Sequence, residues 1–202
     1  MHSDNVRYPK WAAKALQGVA FWVGHRQSMY SRYQLSEGAL TAELCNLIHT
    51  NLPKDYRLRC ELSYEKFFPA DFMPPEVVTG KRVDLSVWKR YEIASGRHGQ
   101  RPEYVIEVKR ANAGNNRINR DLQRLASVIE ESEGIRGFLV VLSEARLPSR
   151  FVSPSGRAKG GRVKIVGTKC KCSVVQVWKA ARSFSSVDKA HYACLIEVVP
   201  PK

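Results

Sequence analysis

The sequence predicts an α/β domain with a central sheet flanked by helices. Three observations carry that expectation. Gly80–Arg110 contains two segments of alternating character, GKRVDLSVW and PEYVIEVKR, joined by a polar connection. Ala113–Glu133 sets Ile118, Leu122, Leu125 and Ile129 at i, i+4, i+7 and i+11, the spacing of an amphipathic helix. Gly137–Ser143 (GFLVVLS) is a continuous apolar run, as expected of a strand buried on both faces.

The bounds agree with one domain. The chain has 202 residues, enough for a substantial core, and its 44% hydrophobic and 26% charged residues are ordinary for a globular protein. There is no internal repeat, so residues 1–202 read as one domain with an N-terminal helical extension over about 1–34. The charge is not ordinary: 33 Lys and Arg against 19 Asp and Glu give +14. Such an excess predicts a polyanionic partner, nucleic acid above all, against the plainer reading of a basic surface kept for solubility. The N-terminus is polar up to Lys10 and does not read as a signal peptide. The apolar run Ala12–Gly24 is broken by Lys14 and Gln17 and is too short to span a bilayer. The expectation is a cytoplasmic protein, without membrane contact, whose thiols are reduced. Its five cysteines are odd in number and scattered. Cys170, Cys172, His191 and Cys194 suggest a zinc site only weakly, since His191 and Cys194 fall on opposite faces of a strand.

Taken in order, a helix is expected over Trp11–Tyr33, apolar nearly all round in its middle and basic and aromatic at its end (His25, Arg26, Tyr30, Arg32, Tyr33). It reads as a helix packed across the domain, or as one whose Arg and Tyr end touches DNA. A second helix runs over Ser36–Leu52, with Ser36 as N-cap and Leu40, Leu44, Leu47 and Ile48 as its stripe. Glu43 lies about 80° from the centre of that stripe and faces the edge of the core. Tyr56–Tyr64 reads as a strand with Tyr56, Leu58, Cys60, Leu62 and Tyr64 on one face. Glu65–Thr79, with its three prolines, is a long irregular loop. Val152–Lys164 is a flexible basic loop carrying Arg157, Lys159 and Arg162, and strands close the chain at Ser173–Trp178 and Tyr192–Val199.

The chemistry concentrates in Gly80–Arg110. In the first strand Val83, Leu85 and Val87 alternate with Arg82, Asp84 and Ser86. In the second, Tyr104, Ile106 and Val108 alternate with Val105, Glu107 and Lys109. If the strands pair, Asp84, Glu107 and Lys109 share one patch of sheet. Two carboxylates and an ammonium so placed suit a metal ion and a water better than they suit packing.

The helix with Glu43, the strand with Asp84, the strand with Glu107-Val108-Lys109, then a helix and a buried strand resemble the PD-(D/E)XK nuclease superfamily. The likeness covers Ser36–Ser143. Asp84 matches the lone aspartate of the second core strand, Glu107 and Lys109 match the (D/E)-x-K, and Glu43 matches the acid of the first helix. Val83 stands where the family name has proline. The Gln-x-x-x-Tyr extension of some exonuclease branches is absent, since Gln123 is followed four residues on by Ser127.

The resemblance implies a restriction-endonuclease-like mixed sheet and a nuclease acting on nucleic acid, DNA first. It implies Mg²⁺, or Mn²⁺ in its place, held by Asp84, Glu107 and the carbonyl of Val108, with Glu43 on a metal-bound water or a second ion. Lys109 would orient the attacking water and stabilise phosphate charge. Arg82, Arg110, Arg117, Arg120, Arg157, Lys159 and Arg162 would track the backbone. The alternative within the same fold is a nucleic-acid-binding subunit with weak or lost catalysis. A weaker one is a structural protein whose basic face meets an acidic partner. A homodimer or a partner subunit is compatible with any of these.

Overall fold

In the computed structural model, three helices lie against a seven-stranded sheet; the structure describes residues 8–29, 33–68, 74, 80–93, 97–180 and 189–201. In chain order the elements are α1 (Lys10–Met29), α2 (Glu37–Asn51), β1 (Tyr56–Ser63), a 3₁₀ turn (Tyr64–Phe67), β2 (Arg82–Ile93), β3 (Arg97–Arg110), α3 (Asn115–Glu131), β4 (Arg136–Ser143), β5 (Val163–Lys164), β6 (Lys171–Ala180) and β7 (His191–Val199). The strand order is β1-β2-β3-β4-β7-β6-β5. Among the described strands only β3 and β4 run parallel; every other neighbouring pair is antiparallel. A parallel pair needs a crossover, and α3 supplies it, with its apolar stripe of Ile118, Leu122, Leu125 and Ile129 buried. Each of those side chains contributes about 1.5–3 kcal/mol by leaving water.

The sheet separates two cores. On one face Leu85, Val87, Tyr104, Ile106, Val108, Phe138 and Val140 pack against α1 and α2. On the other, Val105, Leu139, Val141, Cys194 and Ile196 pack against α3. Helix α1 is an integral wall of the first core, burying Trp11, Ala12, Ala15, Leu16, Val19, Ala20 and Val23. Gly18 permits its close approach to α2, because a Cβ there would come within 3.1 Å of Leu47. Ser36 does cap α2, its side chain accepting the Ala39 N–H at 3.1 Å. No helix among the described residues is long and apolar enough to cross a membrane.

Several expectations need correction. The described part of the polar connection between the two short strands is itself strand: β2 and β3 form one long hairpin, paired as far as Ile93 and Arg97. Charged residues at its tip carry β structure because their side chains stand clear of any core. The alternation expected along β1 breaks at Glu61, whose φ of 53° lies in the left-handed region. Tyr56 and Leu58 therefore pack towards α1 and α2, whereas Leu62 and Tyr64 pack towards α3. Val83 departs likewise, joining the α3-side core while Leu85 and Val87 join the other. In Val152–Lys164, the start is buried rather than free, Val152 bridges Ala158, and the last two residues form β5. Tyr30, Arg32 and most of Glu65–Thr79 lie outside the described residues.

Candidate active site

The site forms where β2 and β3 begin to part. Their register runs through Val87↔Tyr104, Ser86↔Val105 and Leu85↔Ile106. One more step along it would set Asp84 opposite Glu107. There the ladder gives way, and Asp84 Oδ2 accepts the backbone N–H of Val108 at 2.7 Å. The aspartate thus replaces a main-chain acceptor and is fixed against β3.

Glu107 is 1% exposed, on the α3 side of the sheet. Its Oε1 accepts the hydroxyl of Tyr64 and lies 4.0 Å from Arg124 Nε. Burial, and then the nearby charge of Asp84, push the Glu107 carboxyl up to about 8. Burial and the Glu107 charge raise the Tyr64 phenol well above its ordinary value, so it remains a donor.

Lys109 sits at the centre of the carboxylates. Its Nζ is 2.8 Å from Glu37 Oε1, 3.2 Å from Asp121 Oδ2 and 3.8 Å from Asp84 Oδ2, and it donates to the Val108 carbonyl at 2.9 Å. The Asp121 oxygen is at ion-pair distance but out of line for a hydrogen bond. Arg124 donates to the other Asp121 oxygen from one turn further along α3. Four carboxyl groups thus surround two cations, a formal deficit of two positive charges when all are ionised.

Asp84, Glu107 and Lys109 are brought together as their spacing suggested. Glu43 is not part of this contact set. The first-helix acid that meets Lys109 is Glu37, six residues earlier, which also comes within 3.4 Å of the Arg110 N–H. Six residues of helix amount to about 9 Å and 120° of rotation, so the two glutamates face different surroundings. The stripe of α2 was legible, but not which turn of it reaches the end of β3.

By residue type Asp121 and Arg124 belong to the polar side of α3. Asp121 is instead 2% exposed. The signal was available, since Asp121 lies about 75° from the centre of the α3 stripe, the same flanking position that singled out Glu43. Tyr64 had no such signal, because its direction depends on the turn of the chain at Glu61.

The basic residues divide. Arg82, Arg117, Arg120, Arg157, Lys159 and Arg162 are exposed. Arg110 is held, donating to Gln34 Oε1 at 2.8 Å and pairing with Glu144 at 3.2 Å. Beside it a cleft of about 790 Å³ opens at the ends of the parallel strands, lined in part by Arg110, Asn112, Arg146 and Arg150. A smaller depression shares Arg110 and Asn112 and contains Glu37 and Arg117.

The cysteines and histidine considered for zinc are divided by the sheet. Cys170, Cys172 and Cys194 belong to the α3-side core, while His191 lies against Gly24 of α1 and accepts the Ala145 N–H at 3.1 Å. Among the described residues no three His, Cys, Asp or Glu side chains are disposed to hold a metal ion by themselves. No protein family, curated protein or solved structure matches the chain.

Proposed function

We propose that the protein is a metal-dependent nuclease of the PD-(D/E)XK type, with a restriction-endonuclease-like sheet, that hydrolyses phosphodiester bonds of nucleic acid, DNA first. The observation that carries this reading is the convergence of Asp84, Glu107 and Lys109 on one patch of sheet, with the Val108 carbonyl between them. A hard divalent cation fits that donor set. Mg²⁺ asks for only one or two carboxylates and retains waters. Burial raises the Glu107 carboxyl first and the charge of Asp84 adds to it, and carboxyl groups outnumber cations by two around Lys109 and Arg124, a balance that favours a divalent cation.

Asp84, Glu107 and the Val108 carbonyl would hold Mg²⁺ or Mn²⁺. Such an ion, when bound, supplies a more acidic water and counter-charge for the phosphoryl oxygens. In the hydrolysis a water oxygen bonds to phosphorus, the bond to the leaving oxygen breaks, and that oxygen takes up a proton. Lys109, as an ammonium, donates to the attacking water or to a phosphoryl oxygen and offsets the charge developing there. Glu37 and Asp121 position the ammonium; Tyr64 orients the Glu107 carboxyl. The +14 net charge supplies affinity for the phosphate backbone.

A second reading, a nucleic-acid-binding subunit with lost catalysis, is favoured by one observation. Glu107 is engaged by Tyr64 and faces Arg124, leaving the acid almost fully enclosed. The experiment is to compare Asp84→Asn and Glu107→Gln with wild type. Mg²⁺-dependent cleavage of DNA and RNA is measured beside affinity in EDTA. Loss of cleavage with equal or tighter binding supports the nuclease. Unchanged cleavage in both variants removes this site from the chemistry, and a wild type that binds tightly yet cuts nothing selects the binding module.

A further inference from the structure

Some arginines of this protein are held by carboxylates and others by neutral acceptors, as Arg59 is by Gln100 Oε1 at 2.8 Å. Arg136 pairs with Glu197 at 2.6 Å, Arg110 with Glu144 at 3.2 Å, and Arg124 with Asp121. In each pair a carboxylate both fixes the guanidinium and neutralises it. Arg150 is fixed otherwise. Its Nη1 donates to Asn115 Oδ1 at 3.2 Å and its Nη2 to Asn119 Oδ1 at 2.7 Å, while its guanidinium lies 5.3 Å from the Phe151 ring. Two amide oxygens one turn apart on α3 hold the fork in place and leave its charge uncompensated. An arginine that served only to tie the loop to the helix would gain more from a carboxylate.

The surroundings of Arg150 extend this pattern. Arg150 and Arg146 line the 790 Å³ cleft together, and among the described residues no carboxylate pairs with either. Arg117 and Arg120, also unpaired among the described residues, stand on the exposed face of the same helix. The first turn of α3 opens on this cleft, and Gly114 offers its amides no side-chain acceptor. Arg110 and Asn112 line both this cleft and the depression that contains Glu37, so the two adjoin at the start of α3.

We propose that Arg150, clamped by Asn115 and Asn119 and assisted by Arg146, is a backbone-phosphate subsite for a nucleic-acid strand that also reaches the acidic cluster. The proposal rests on the nucleic-acid reading and adds the path of the strand. Substrate passes round the N-terminal end of α3 and must extend beyond the scissile bond on the side of the cleft. A planar, prefixed guanidinium suits two phosphate oxygens, whereas an ammonium at the same place does not.

The test is affinity in EDTA for a labelled duplex of about twenty base pairs and for its single strand, followed across a salt series. Arg150→Ala is expected to weaken duplex binding about tenfold at low salt and to make the log–log salt slope shallower by about 0.9. Asn119→Ala, which frees the fork but keeps its charge, should weaken binding less and leave the slope unchanged. Arg146→Ala, at an exposed position with no described side-chain contact, gives a second reading of the slope should Arg150→Ala not fold. A steep wild-type slope that neither arginine variant alters overturns the subsite and leaves nucleic-acid binding standing. A flat wild-type response overturns both. Weaker, shallower binding in a protein that never cleaves upholds the subsite and removes the hydrolysis.

Discussion

The ammonium of Lys109 on β3 lies 2.8 Å from Glu37 Oε1 in the first turn of α2. The catalytic candidate is therefore steadied by the face of the sheet and by a helix that begins beyond its edge. Glu37→Gln should lower cleavage by roughly ten- to a hundredfold, since it loosens the ammonium without removing it. Glu43→Gln, six residues along, should act in the same direction by a few-fold at most. Parallel kinetics on the two variants decide the point, and an order of effects opposite to this one returns the role to Glu43.

Replacing Lys109 separates charge from shape. Lys109→Met keeps most of the volume and leaves Asp84 and Glu107 in place. It should cut turnover by a factor on the order of 10²–10⁴. Lys109→Arg should rescue poorly, because a planar fork does not fit a place shaped by three carboxylates around a compact ammonium. Wild-type turnover in the Met variant at saturating Mg²⁺ excludes Lys109 from the mechanism.

Asp121 is buried between two cations, Lys109 and Arg124. Asp121→Ala removes the partner that both share, while Lys109 keeps Glu37 and Asp84 and Arg124 keeps Glu107, and should cost about 1–3 kcal/mol in unfolding free energy. Asp121→Asn, which retains an acceptor, should cost less. Denaturant unfolding of the two variants measures the difference, and a loss below about 1 kcal/mol in Asp121→Ala contradicts the role of a shared counter-ion.

Of these groups, the ones legible in the sequence follow from local rules. Asp84, Glu107 and Lys109 could be placed because side chains on a strand alternate, a rule that holds along β3 and along β2 from Leu85 onward, and two adjoining alternations constrain each other. The stripes of α2 and α3, the Ser36 cap and the buried strand at Gly137–Ser143 were legible for the same reason. Glu37, Tyr64 and Asp121 reach the site through tertiary relations. How far α2 slides along the sheet, and how β1 changes face, are decided by packing between segments distant in the chain. The hairpin formed by β2 and β3 was read too short because its tip is polar, and hydrophobic periodicity has no purchase on a ribbon without a core.

Cys45 on α2 and Cys60 on β1 have their sulfurs 3.1 Å apart. Treatment with diamide, which takes up the two electrons and two protons of the thiol pair, should join them as an intramolecular disulfide. The closed loop of 15 residues should add about 3 kcal/mol of stability on the loop-entropy account. Cys170, Cys172 and Cys194 are buried and out of reach of the reagent, so these three should stay unmodified in the folded protein. Peptide mapping under non-reducing conditions checks both statements; a crosslink involving any of the buried three contradicts the packing.

The left-handed turn of Glu61 makes β1 a divided strand. Its first half is ruled by the hydrophobic demands of α1 and α2, and its second half delivers Tyr64 to Glu107. The two duties are mechanically uncoupled at one residue, so substitutions that repack the first half need not disturb the hydroxyl at the acid. The arrangement carries a cost of about 1–2 kcal/mol in backbone strain for a residue with a Cβ. Glu61→Gly would relieve that strain while preserving the change of face. A standard strand geometry at the same place, with no residue at positive φ, would turn Leu62 and Tyr64 towards the wrong helices and leave Glu107 buried without its donor.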